Sequence, residues 1–321
     1  MCSRVLWADN GQAVVVGRTM DWVNPWPIDL WLLPRGIERD GRQGPDTLRW
    51  TARYGSVVAS KDGASDGMNE AGLAAHMLWL AEAEYGARDP ARPGLSVGLW
   101  LQYYLDSFAT VAEAVAWTKA SNFQLVTGEY DGLQVAVHLA IEDASGDSAV
   151  IEYVGGRPRI YHGRDYCVLT NSPTFDRQLA QLKRYQGFGG ELPLPGTTDA
   201  ADRYVRAAYY LKHLPRPADY RETVAAMLSV MRNVAQPFGT VDPARPNVSP
   251  TRWRTVCDLT NSVYYFESTT SPTIVWAKLP QLNFSEGAPV QKADLIDSPD
   301  RIGDVTLQFI PAKPFEVHSS G

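Results

Sequence analysis

The chain has 321 residues, of which 45% are hydrophobic and 11% aromatic, enough to bury a large core. A net charge of −6 argues against a nucleic-acid surface, which needs clustered Lys and Arg. No apolar run approaches the ~20 residues of a membrane-spanning helix, and residues 2–17 lack the basic and apolar regions of a secretory signal.

The chain opens on Met1-Cys2. A small second residue allows the initiator Met to be removed, which would leave a thiol and an α-amine on one residue. An ordinary Cys thiol titrates near ~8.5 and an α-amine near ~7.7–8.0, so nucleophile and base arrive together. Many proteins begin this way by chance, so the rest of the chain decides. Ser3–Trp7 and Ala13–Arg18 read as strands joined by a tight Asn-Gly hairpin turn at Asp9-Asn10-Gly11-Gln12. Asp29–Leu33 and Ser56–Ser60 extend the β pattern. Asp66–Gly72 reads as a turn, and the apolar run Leu73–Leu80 as a buried strand.

A helix is predicted over Leu95–Phe108. Thr110-Val111-Ala112-Glu113 is a capping box opening a second helix to about Ala120. Strands follow at Leu133–Glu142, Ser148–Tyr153, Arg159–His162 and Tyr166–Thr170. Helices are predicted at Thr174–Tyr185, Ala200–Leu214 and Tyr220–Asn233, then strands at Arg252–Leu259, Val263–Phe266 and Thr273–Leu279. Strand blocks alternate with helix pairs without regular βαβ alternation. The pattern predicts an α+β fold with antiparallel sheets and helices outside. No repeat or linker divides it, so residues 1–321 read as a single domain.

Three cysteines give no even framework and no CxxC pair, which excludes a disulfide scaffold and a zinc site as expectations. Cys167 and Cys257 lie in apolar strand-like runs and read as inert core thiols. The histidines His76, His138, His162, His213 and His318 are scattered, without metal-ligand spacing, and no GxSxG elbow is present. No metal and no cofactor is expected.

If the first two strands pair, Arg18 and Asp21 fall near Cys2. A guanidinium there favours a thiolate, and a carboxylate can hold the amine; alone, the two would be an ordinary surface pair. Asn171 in Leu169-Thr170-Asn171-Ser172-Pro173-Thr174 can donate to an oxyanion or merely cap a turn. Arg203, in Asp202-Arg203-Tyr204-Val205-Arg206, sits on a helix that can be solvated or turned inward. Most of the ten Trp should be packing residues.

These pieces in order resemble the choloylglycine hydrolase family of N-terminal nucleophile hydrolases, which includes penicillin V acylases and bile salt hydrolases. The resemblance rests on Cys2, Gly17-Arg18-Thr19-Met20-Asp21, Asp66–Leu73, Leu169–Asp176, and Leu194-Pro195-Gly196 with Asp202–Arg206. It runs from Cys2 to about Pro314. It implies a four-layer αββα sandwich with Cys2 at the start of a central strand. It carries catalytic roles onto Cys2, Arg18, Asp21, Asn171 and Arg203, with Asn171 and the Trp79 N–H as oxyanion donors. Bile salt hydrolases of Gram-positive type have Leu-Asn where this chain has Leu78-Trp79. That departure, with Met20-Asp21-Trp22, resembles the Gram-negative penicillin V acylase-like branch, whose members also cleave N-acyl homoserine lactones. Trp22 and Trp79 would wall the acyl pocket.

The resemblance thus implies an amide hydrolase acting on a small N-acyl amide through a thioester, with conjugated bile salt hydrolysis as the alternative. A non-catalytic acyl-ligand binder on the same fold is the alternative outside enzymes. It implies a homotetramer. The ending Val317–Gly321 reads as an added tail. If a native leader was trimmed as well, the periplasm is expected, and otherwise the cytoplasm.

Overall fold

The computed structural model of the chain describes residues 1–130, 132–185, 192–242, 248–271 and 273–315; His318 and the rest of the ending Val317–Gly321 lie outside them. Two large sheets face one another. The first runs in the order Val168–Leu169, β1 (Cys2–Trp7), β2 (Val15–Asp21), Thr251–Asp258, Val263–Ser268, Ile274–Lys278 and Gly303–Asp304. The second runs Arg157–His162, Ser148–Val154, Val137–Glu142, Ala74–Trp79, Ala64–Asn69, Ser56–Ser60, Asp29–Leu33, Gln291–Ala293 and Ile310–Pro311. Pairing within both is antiparallel except at one edge, where Val275 and Trp276 run parallel to Gly303 and Asp304.

Helices α1 (Trp100–Ser107) and α2 (Val111–Ala120) cover the outer face of the second sheet. Helices α3 (Phe175–Leu182), α4 (Ala200–His213) and α5 (Tyr220–Val234) cover the outer face of the first. The result is the αββα sandwich. Among the described residues its outer layers hold two helices on one side and three on the other.

Pleating explains why several strands of the second sheet carry apolar residues on both faces. Successive strand residues point to opposite faces. Leu30, Leu32, Val57, Ala59 and Leu78 enter the inter-sheet core, whereas Trp31, Leu33 and Val58 pack under α1 and α2. A sheet covered on both faces needs such continuous runs. In the first sheet, Gly17 marks where α5 crosses: a Cβ there would lie 2.5 Å from Met231 and 2.9 Å from Met227.

Several expectations change. The β1–β2 hairpin forms, with Cys2 opposite Met20 and Trp7 opposite Val15, so its loop is longer than a two-residue turn. The Asn10 side chain closes that loop, accepting from Gln12 and Ala13 N–H and donating to the Trp7 and Ala13 carbonyls. Asp66–Gly72 is not a turn throughout: Ala64–Asn69 is a central strand, and the chain reverses only after Asn69, with Gly72 at φ 91°. Gly67 is demanded by packing, since a Cβ would meet Val58 at 2.7 Å and Leu105 at 2.9 Å. The predicted helix over Leu95–Phe108 begins only at Trp100, after a short strand Gly94–Ser96 and a 3-10 turn. The Thr110 cap forms, while Glu113 reaches back to the Ala109 N–H instead of to Thr110. Cys257 is buried as expected, but Cys167 is only partly buried and donates to the Arg164 carbonyl at 2.9 Å.

Candidate active site

Alternation along β1 gives Cys2 two environments. Cys2 and Arg4 face the second sheet, and Ser3 and Val5 face α4. The same rule sends Arg18 and Met20 of β2 inward, toward the second sheet, and Asp21 toward the helices. Five residues singled out in the sequence therefore gather around the first peptide units of β1, contributed by four distant segments.

Arg18 sits diagonally from Cys2, its direct partner across the ladder being Arg4. Its Nη2 lies 3.4 Å from Cys2 Sγ and donates to the Met77 carbonyl at 3.0 Å. The guanidinium rests on the Trp253 ring, 4.5 Å from its centroid. Arg18 is fully buried, and its Nε and Nη1 have no hydrogen-bond partner among the described residues. The guanidinium thus presents its charge to the facing sulfur.

Asn171 follows the strand Val168–Leu169. Its Oδ1 accepts from Cys2 N at 2.6 Å and from Arg203 Nη2 at 2.8 Å. Two donors at one atom fix the amide orientation. Its Nδ2 donates to the Trp79 carbonyl at 2.8 Å, leaving its second proton for another acceptor. Leu80 N donates to the Ala136 carbonyl, so Trp79, one residue earlier, turns its N–H and C=O away from the Val137–Glu142 strand. The Trp79 N–H thus points to the same side as its Asn171-bonded carbonyl.

Arg203 reaches in from α4, donating through Nη1 to the Cys2 carbonyl at 2.7 Å and to Ser3 Oγ at 2.6 Å. The Asp21 carboxylate differs from expectation. It accepts from Thr251 Oγ1 at 2.6 Å and Gln236 Nε2 at 3.0 Å, and lies 3.7 Å from Arg203 Nη1. It joins the cluster through Arg203 and makes no hydrogen bond to Cys2 N.

Met1 continues the β1–β2 ladder one residue past Cys2. Its amine donates to the Asp21 carbonyl at 2.6 Å and its carbonyl accepts from Asp21 N at 2.7 Å. Burial lowers the pKa of that amine from its ordinary value, with Cys2 and Asp21 opposing and Arg203 and Arg18 assisting.

The cluster opens into a cleft. Trp22 and Trp79 stand 5.8 Å apart at its wall. Two more aromatics complete it: Trp26 lies edge-on to Trp22 at 5.3 Å and stacks on Tyr130 at 5.0 Å. Neither carries a sequence signal: Trp26 is one of ten Trp, and Tyr130 stands in no motif. A second cleft backs onto the first through Trp26, but its described lining has no thiol, histidine or carboxylate. Among the described residues, no cluster of three His, Cys, Asp or Glu is placed to hold a metal, and no helix is long and apolar enough to cross a membrane.

The two facing sheets between helical layers are the fold of N-terminal nucleophile hydrolases. The family model for linear amide C–N hydrolases, choloylglycine hydrolase family, matches residues 2–302, and the chain belongs to that family. It is 42% identical to a penicillin V acylase of Pectobacterium atrosepticum, over 98% of this chain and 91% of that one. The structure of a penicillin V acylase from Agrobacterium tumefaciens is similar over 99% of this chain and all of that one, with a TM-score of 0.91 and 43% identity. A conjugated bile acid hydrolase from Clostridium perfringens shares the fold, with a TM-score of 0.78 and 21% identity over 92% of this chain and 97% of that one.

Proposed function

We propose that the protein is an acylase of the penicillin V and N-acyl homoserine lactone type, with Cys2 as nucleophile once Met1 is removed. The observation that carries the reading is the placement of Cys2. Its sulfur faces the Arg18 guanidinium at 3.4 Å, and its nitrogen is anchored on Asn171 at 2.6 Å.

With Met1 gone, that nitrogen is a free amine. It takes the thiol proton, and the sulfur attacks the amide carbonyl. The developing oxyanion takes the free Asn171 Nδ2 proton and the Trp79 N–H, donors made ready before the reaction. The ammonium then protonates the leaving nitrogen as the C–N bond breaks, which leaves a thioester on Cys2. Water adds to the thioester with the amine as base, releasing the carboxylic acid and restoring the thiol. Arg203, paired with Asp21, holds the Cys2 carbonyl and Asn171 throughout. Trp22, Trp26, Trp79 and Tyr130 favour an acyl group that is aromatic or a flexible alkyl chain.

The test is a substrate panel with protein whose intact mass confirms loss of Met1. Penicillin V, hexanoyl to dodecanoyl homoserine lactones and glycocholate are compared by amine release. The reading expects kcat/KM on penicillin V or a homoserine lactone at least about tenfold above glycocholate. Faster cleavage of glycocholate would overturn it in favour of bile salt hydrolysis, and no acyl-enzyme with any substrate would favour a binder.

A further inference from the structure

Behind Arg18, away from the cleft, a line of charged side chains crosses the inter-sheet core. Arg18 Nε lies 3.9 Å from Asp66 Oδ2. The same carboxyl oxygen lies 2.5 Å from His76 Nδ1, and Asp66 Oδ1 accepts from the Tyr264 hydroxyl. On the other side of the ring, Glu142 Oε1 lies 2.5 Å from His76 Nε2, off the N–H direction, so that contact is ionic. Glu142 Oε2 accepts from Arg4 Nε at 3.0 Å. Arg4, Arg18, Asp66, His76 and Glu142 are all fully buried.

Both ring nitrogens of His76 face carboxylates, which is the environment of an imidazolium. Burial alone would lower its pKa, but Asp66 and Glu142 outweigh burial and raise it to about 9. Burial likewise pushes each carboxyl up, yet His76 beside Asp66, and Arg4 with His76 beside Glu142, bring both below the ordinary carboxylate range. The line therefore alternates as Arg18 plus, Asp66 minus, His76 plus, Glu142 minus, Arg4 plus. The other groups near it, Tyr264 and Cys257, have pKa values pushed well above their ordinary ones, by burial first and then by Asp66, and stay neutral. On the far face of β1, Arg203 and Asp21 balance one another. One positive charge is left over, and Arg18, at the cleft end, presents it to Cys2.

We propose that His76 is a positioning residue for the reaction: through Asp66 it leaves the buried line one positive charge in excess, and that charge favours the Cys2 thiolate once its proton has passed to the Cys2 amine. The proposal rests on Cys2 being the nucleophile but not on which amide is cleaved. If His76 were neutral, Asp66 would cancel Arg18 and Glu142 would cancel Arg4, and the line would add nothing to the Cys2 ammonium in favour of the thiolate.

The test reads the thiol directly, without substrate. In Met1-free protein, iodoacetamide alkylation of Cys2 is followed against pH by the mass of the N-terminal peptide. For His76→Gln, the pH of half-maximal rate should rise by about one unit, making alkylation about tenfold slower below it, as expected for a lost unit charge within the buried core. kcat should fall about as far, with KM changed less than about twofold. A folded His76→Gln protein with an unmoved alkylation profile would overturn the proposal while leaving the acylase reading intact. The wild-type protein supplies a measurement that needs no variant to fold. The 15N signals of His76 at pH 7.5 should report two protonated ring nitrogens, and a neutral tautomer would overturn the proposal.

Discussion

Cys2 and Cys257 lie in the same sheet, both buried, and face the same line of charges from different places. Cys257 looks onto its carboxylates: burial, then Asp66, Glu142 and Asp258, push its thiol well above the ordinary value. Cys2 looks onto its end, where the Arg18 guanidinium lies 3.4 Å away, and has Arg203 on its carbonyl. Burial is common to both, so what sets Cys2, the proposed nucleophile, apart is the sign of the nearest charge, together with a cleft that lets substrate in.

The largest effect that separates the two thiols is their removal. Cys2→Ala should lower kcat/KM by at least about 10³-fold, whereas Cys257→Ala should leave it within about twofold, both measured by amine release with matched circular dichroism. Asn171→Ala comes next. It removes the proposed oxyanion donor and the anchor of the Cys2 nitrogen, and kcat should fall about 10²–10³-fold.

The charge line predicts a pH dependence of stability. His76 moves from an ordinary value of 6.5 in the unfolded chain to about 9 in the folded one. Its contribution is fully present below pH 6.5 and is lost as pH rises through 9. The shift corresponds to roughly 3 kcal/mol, so urea midpoints should fall across that window in the wild type and stay flatter in His76→Gln. A smaller change is expected at the wall. Trp79→Ala should raise KM for an aromatic acyl substrate about tenfold, consistent with one lost ring pair and its buried area, while leaving the Cys2 alkylation rate unchanged. The smallest is structural: Cys257→Ala should destabilise by about 1 kcal/mol without touching chemistry.

The sequence made the site more legible than its supports. Cys2, Arg18, Asn171 and Arg203 stand in motifs, and the β1–β2 hairpin could be read from Asn10-Gly11, so their meeting was foreseeable. The role of Asp21 was not. Its carboxylate turns to Thr251 and Gln236, because side chains alternate along β2 and Asp21 points opposite to Arg18. Asp66-Gly67 looked like a turn because Asp and Gly usually mark one. Here the Gly makes room for Leu105 of α1 and the Asp is buried against His76, and both reasons lie far away in sequence. His76, His138 and Glu142 carried no spacing signal for the same reason. A strand shows what it buries by its apolar residues, and hides which polar group on another strand satisfies the rest.

The central claim is that Cys2, freed of Met1, forms a thioester, and acid-quenched mass spectrometry of Met1-free protein mixed with penicillin V tests it most directly. A phenoxyacetyl group is expected on the N-terminal peptide at Cys2, with Cys167 and Cys257 unmodified. An acyl group on any other residue, or full turnover by protein that retains Met1, would contradict it.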